Sequence, residues 1–123
     1  MAALVLMAVL LCACASLQLT AAPAQTVAGG DARRGAVAIE IYGCGSCHRI
    51  PGIPDADSMV GPPLDDWSER RFIAGSFPNE PEMLVQWIRF PQAIEPGNAM
   101  PNMGVTEQDA RDISAYLYTL GDD

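Results

Sequence analysis

Five consecutive residues, Cys44-Gly45-Ser46-Cys47-His48, concentrate the reactive chemistry of this chain. Two thiols separated by two residues can close a disulfide, bind a metal, cycle as a redox dithiol or add to a carbon–carbon double bond. A disulfide here would close too small a loop to remove much unfolded-chain entropy. A zinc site needs about four N, S or O donors, commonly as two pairs. Beyond Cys12 and Cys14 in the apolar N-terminal segment, the chain offers one pair and one histidine, with no second CxxC and no HxxxH. A thioredoxin-like pair opens a helix after a strand, and no strand alternation is visible around Cys44. What remains is C-x-x-C-H, the attachment motif of a haem. The thiols add to two vinyl groups on neighbouring edges of the porphyrin, with Gly45 and Ser46 setting their separation. His48, the only histidine, then falls beneath the iron as proximal ligand. The motif implies one covalently bound haem c.

The elements that must position this motif fit in one domain, since the chain has 123 residues. Residues 31 to 42 read as a helix capped by Asp31. Ala32, Gly35, Ile39 and Tyr42 share one face, and Gly43 suits the C-terminal turn. A glycine inside a helix is costly unless something packs close, so Gly35 points to a second helix crossing there. Arg49 to Phe77 reads mainly as loop, broken by Pro51, Gly52, Pro54, Gly61, Pro62, Pro63 and Gly75. A helix carrying Met83, Leu84, Trp87 and Ile88 follows, with Asn79 as its expected cap and Pro81 in its first turn, and ends before Pro91. Residues 91 to 104 read as a loop. Thr106-Glu107-Gln108-Asp109 then resembles a capping box with Asp in place of Glu. It opens a last helix with Ala110, Ile113, Leu117 and Leu120 buried and Gly121 at its end. The expected architecture is all-α, three or so helices with long haem-wrapping loops.

Ahead of this domain, Met1 to Leu11 is almost unbroken Ala, Leu, Val and Met, and small residues follow. This is the pattern of a secretory signal, with Ala22-Pro23-Ala24 fitting the cleavage rule and a mature start near Gln25. The segment has no Lys or Arg, and two alternatives stand beside cleavage. Leu11-Cys12-Ala13-Cys14 is an imperfect lipoprotein box, with Cys14 the lipidated residue. The apolar stretch could also stay as a membrane anchor, although a full span needs roughly 20 apolar residues. The chain thus divides into a signal or anchor (1–24), a linker (25–30) and a domain (31–121).

Seven arginines, no lysine and fifteen acidic residues give a formal charge of −8, all of it from Asp31 onward. Such a surface excludes nucleic acid, whose phosphates need a basic face. It suits either plain solubility or the steering of a basic partner.

The order helix, CxxCH, Gly-Pro-x-Leu, helix, Pro-Gly-x-x-Met, helix resembles class I cytochrome c, the mono-haem, mitochondrial-type family, over roughly residues 31 to 121. Ile50 to Pro54 and Ala115 to Leu120 are similar to segments of its small bacterial periplasmic members. The resemblance implies a methionine sulfur as second axial ligand. Met100, in Pro96-Gly97-Asn98-Ala99-Met100, holds the matching position, and Met103 is its competitor. His/Met ligation fills both axial sites and raises the potential. The resemblance also implies that the Pro62 carbonyl accepts a hydrogen bond from the His48 imidazole, and that Trp87 lies in the haem pocket. Arg70, with Arg71 beside it, is a candidate for a haem propionate. Gly35 and Ile39 would cross Ile113 and Tyr116. Two features depart from the mitochondrial forms: the first helix runs one residue longer to the motif, and the Lys-rich docking face is absent.

The function so implied is that of a periplasmic electron-transfer protein and not an enzyme. It would pass single electrons between respiratory-chain partners, a donor and an acceptor, with a terminal cytochrome oxidase as one such acceptor. A fixed haem subunit of a dehydrogenase complex is the alternative. An enzyme or gas sensor would need an open iron position, against which Met100 argues.

Overall fold

The computed structural model describes residues 25–121. The expected signal or anchor segment, 1–24, lies outside the described residues. Helix α1 spans Ala32–Ile41, and Asp31 caps it: its carboxylate accepts from the backbone N–H groups of Arg33 (2.9 Å) and Arg34 (3.0 Å). The chain leaves α1 through Gly43, at φ 69°, into a short 3₁₀ turn, Cys44–Ser46. A second 3₁₀ turn, Trp67–Glu69, and a two-stranded antiparallel hairpin follow. The hairpin pairs β1 (Phe72–Ile73) with β2 (Phe77–Pro78) in the register Phe72–Pro78 and Ile73–Phe77. Helices α2 (Pro81–Arg89), α3 (Pro91–Ile94) and α4 (Glu107–Leu117) complete the chain.

The architecture is therefore four helices and one small hairpin, and the all-α expectation needs that correction. Each strand has two residues, too few for alternation to register as a pattern. Helix α3 lies in the segment read as loop. Pro91 ends α2, and its fixed φ also suits the first position of a new turn.

Asn79 does not cap α2. Glu80 stands at the cap without a side-chain bond. Asn79 is instead buried: its Nδ2 donates to the carbonyls of Trp67 (3.0 Å) and Arg70 (2.9 Å), and its Oδ1 accepts from the Tyr118 hydroxyl (2.8 Å). At α4, Thr106 Oγ1 accepts from the Asp109 N–H (3.1 Å), as expected of a cap. The Asp109 carboxylate does not reach back to the Thr106 N–H. Its Oδ2 accepts from the hydroxyls of Thr106 and Tyr42, both at 2.7 Å, and so ties α4 to the end of α1. The last helix stops at Leu117, one turn before Gly121, and leaves Leu120 half-buried.

Helices α1 and α4 form the main packing contact, and α2 also packs on α4. At their crossing Gly35 meets the backbone of Asp112. A Cβ there would overlap the Asp112 carbonyl group and stand 3.0 Å from Tyr116 Cβ. The core joins Ile39, Ile50, Ile73, Leu84, Val85, Ile113 and Leu117. Residues 25–30, the expected linker, lie along α4. Val27 is buried, and the carbonyls of Ala28 and Gly29 accept from Arg111 (3.3 Å) and Gln108 (2.8 Å).

Candidate functional site

Cys44, Cys47 and His48 sit in one tight turn that continues from α1. The N–H groups of Cys47 (3.2 Å) and His48 (3.0 Å) both donate to the Cys44 carbonyl. This brings the two thiols and the imidazole within one turn of backbone. Both thiols are free and half-buried. Burial pushes the Cys44 thiol above its ordinary pKa, which holds it as the neutral thiol.

The segment 61–64 runs beside the motif and is pinned to it. Gly61 N–H donates to the Cys47 carbonyl (2.6 Å) and Leu64 N–H to the Arg49 carbonyl (2.8 Å). Between them, His48 Nδ1 lies 2.7 Å from the Pro62 carbonyl oxygen. A carbonyl only accepts, so Nδ1 carries the proton and donates. In the neutral imidazole this bond leaves the lone pair on Nε2, the state a metal requires. Gly61 lies against the imidazole: a Cβ there would stand 2.6 Å from Cε1 and 2.9 Å from Nδ1.

The loop after His48 also returns over the motif, a packing that sequence reasoning missed. Ile50 N–H donates to the Ala56 carbonyl (2.9 Å), and the Arg49 and Asp57 backbones pair in an isolated antiparallel bridge. Ala56 thereby covers Gly45, where an added Cβ would stand 2.8 Å from the alanine methyl. Gly45 is thus a packing residue as well as a spacer between the thiols.

The other candidates lie farther along the chain. Met100 is half-buried in the α3–α4 loop, while Met103 is 44% exposed. Trp87 is half-buried on α2, its ring centroid 6.0 Å from that of Phe77. Arg70 donates to the carbonyls of Pro63 and Asp65, the latter at 3.0 Å, and stacks over the Trp67 ring at 5.2 Å. Arg71 is exposed.

Trp67 escaped the sequence reading. It is buried, and its indole N–H lies near the Tyr118 hydroxyl without forming an aligned hydrogen bond. Burial pushes the Tyr118 hydroxyl up to about 12, so it stays protonated and donates to Asn79. A buried donor normally has an acceptor. The Arg70 guanidinium that stacks over the Trp67 ring is a donor of the kind that pairs with a carboxylate such as haem carries. Two free thiols, an imidazole held through Nδ1 and this guanidinium form a set that fits haem.

The cytochrome c family model matches residues 32–121. The chain is a member of the cytochrome c family. Membership implies haem c as cofactor and electron transfer as the role. Two curated relatives are similar to it. Cytochrome c oxidase subunit 2 of Alkalihalophilus pseudofirmus is 37% identical over 90 residues, 72% of this chain and 25% of that protein. Cytochrome c oxidase subunit 2 of Bacillus sp. (strain PS3) is 31% identical over 81 residues, 63% of this chain and 23% of that protein. The chain thus spans about a quarter of the length of these relatives. No solved structure matches it significantly.

Proposed function

We propose that this family member is a periplasmic one-electron carrier with a single haem c, low-spin and ligated by His48 and Met100. Bound haem supplies an iron that cycles between ferric and ferrous states. Cys44 and Cys47 would hold it through thioethers. His48 would present Nε2 to the metal while its Nδ1–H stays on Pro62, a bond that fixes the ring and makes it a stronger donor. Trp87 would line the pocket, and Arg70, with Trp67 beneath it, would face a propionate. The observation that carries the reading is the 2.7 Å bond from His48 Nδ1 to Pro62 in the turn that also holds both thiols.

Optical spectra test the ligand set. The oxidised protein should show the weak long-wavelength sulfur-to-iron band, and Met100→Ala should abolish it. A band that survives that change but is lost in Met103→Ala would move the assignment to Met103. Intact mass should show one haem added and a start near Gln25. A diacylglyceryl mass on Cys14 would instead favour a lipid anchor.

The partners proposed are respiratory-chain proteins, with a terminal oxidase as acceptor. The relatives support this reading, because their names are those of oxidase subunits. Their extra length also favours a second one, in which the chain works as a fixed haem module of a larger complex, oxidase or dehydrogenase. Co-purification with a large subunit separates a fixed module from a diffusing carrier.

A further inference from the structure

The α3–α4 loop carries both methionines considered for the iron, yet side chains clasp the backbone of only one. Gln92, the second residue of α3, reaches into this loop. Its Nε2 donates to the carbonyls of Asn98 (2.7 Å) and Met100 (2.8 Å), and its Oε1 accepts from the Gly97 N–H (3.1 Å). Asn98 completes the clasp. Its Oδ1 accepts from the Met100 N–H (2.7 Å), and its Nδ2 donates to the carbonyls of Pro91 (3.0 Å) and Glu95 (2.7 Å). Met100 is held at both its N–H and its C=O. Among the described residues no side chain clasps the backbone of Met103, which is 44% exposed. The Gln92 backbone N–H closes the far side of the loop on Asn102 Oδ1 (3.2 Å).

We propose that Gln92 is a positioning residue for the axial methionine: its side-chain amide holds the loop so that the Met100 sulfur stays on the iron. The proposal rests on Met100 being the distal ligand. A thioether is a weak ligand on a flexible stem, so its residence depends on how rarely the loop opens. An added ligand enters only when the loop is open, and its apparent affinity scales with the open fraction. Three of the loop's closing bonds belong to the Gln92 side chain, and their loss favours the open form.

Imidazole titration of the oxidised holoprotein, followed by loss of the sulfur-to-iron band, measures that fraction. Gln92→Ala should bind imidazole about tenfold more tightly than the parent, a change of ~1.4 kcal/mol in loop opening. Gln92→Glu keeps the length and the acceptor for Gly97 but lacks both donors. It should show most of the same gain, and it carries the test if the alanine variant does not accumulate as holoprotein. Gln86→Ala, on the exposed side of α2, should leave the affinity unchanged. Imidazole affinities equal to the parent's in both Gln92 variants would overturn the proposal while leaving Met100 ligation intact. A parent protein without the sulfur band, or one that keeps it in Met100→Ala, would overturn the ligand reading and the proposal together.

Discussion

At the scale of single residues, Gly61 matters as much as the histidine it touches. An added methyl would stand 2.6 Å from the His48 ring, and the imidazole would have to turn away from the Pro62 carbonyl. The expected cost in stability for Gly61→Ala is about 1–3 kcal/mol, the usual range for an overpacked contact. Its signature should be electronic as well. Loss of the Nδ1–H bond makes the imidazole a weaker donor and disfavours ferric iron, so the reduction potential should rise. A tenfold change in that balance is ~59 mV for one electron, and potentiometry should find a shift of that order. Pro62→Ala should shift the potential less, because the acceptor is a main-chain carbonyl that alanine also carries. The motif residues were legible because a short motif carries its own geometry, and Pro62 was legible through the family resemblance. Gly61 was read as a chain breaker and as part of Gly-Pro-x-Leu: nothing local says that an imidazole from thirteen residues earlier will lie against it.

At the scale of elements, the α1–α4 crossing holds the turn that carries the thiols. Gly35→Ala would drive a methyl into the backbone of Asp112. Backbone cannot yield as a flexible side chain does, so a loss of about 3 kcal/mol is expected. For a domain of this size that corresponds to a melting midpoint lower by roughly 10–20 °C in a thermal unfolding scan. The crossing was legible from Gly35, because a mid-helix glycine needs a close neighbour. The expected roles of Asn79 and Gly121 were displaced by packing. Asn79 finds three partners in the interior, and α4 gives way after Leu117 to tighter turns, with Thr119 N–H on the Tyr116 carbonyl and Leu120 N–H on the Leu117 carbonyl. Local propensity cannot anticipate partners supplied by distant segments.

At the scale of the whole molecule, charge governs both stability and encounter. Asp112 is 1% exposed. Its carboxylate accepts from Arg34 Nε (2.8 Å), the Asp31 N–H (2.8 Å) and Gln108 Nε2 (3.0 Å), among others. The Arg34 hydrogen bond, ahead of the other contacts, lowers its pKa below the ordinary value of 3.8. A depressed carboxylate contributes stability that is fully present above its unfolded pKa of ~3.9 and is lost as pH falls through the lower folded value. Asp112→Asn should therefore cost about 1–3 kcal/mol near neutrality, and its stability should fall less steeply than the parent's below about pH 4. Acid titration of thermal midpoints for both proteins checks this. The net charge of −8 makes a second prediction. Electron transfer with a basic redox partner should slow as salt is raised, over the range in which the Debye length falls from about 10 Å to 3 Å. Stopped-flow rates at several ionic strengths measure it.

The sequence by itself held the C-x-x-C-H motif, the family and the order of the three longer helices. These depend on short spacings, on caps and on the 3.6-residue repeat, all of them local. Tertiary structure alone decided that Gly61 faces the imidazole and that Ala56 roofs Gly45. It also buried Asp112 and Trp67, and it set Gln92 to clasp the Met100 loop. Each of these joins groups brought together by packing, and only the folded chain makes them neighbours. The Cys44–His48 turn belongs to both accounts: its residues pointed to the chemistry, and the segment 61–64 that packs beside it set the imidazole with Nδ1 on the Pro62 carbonyl.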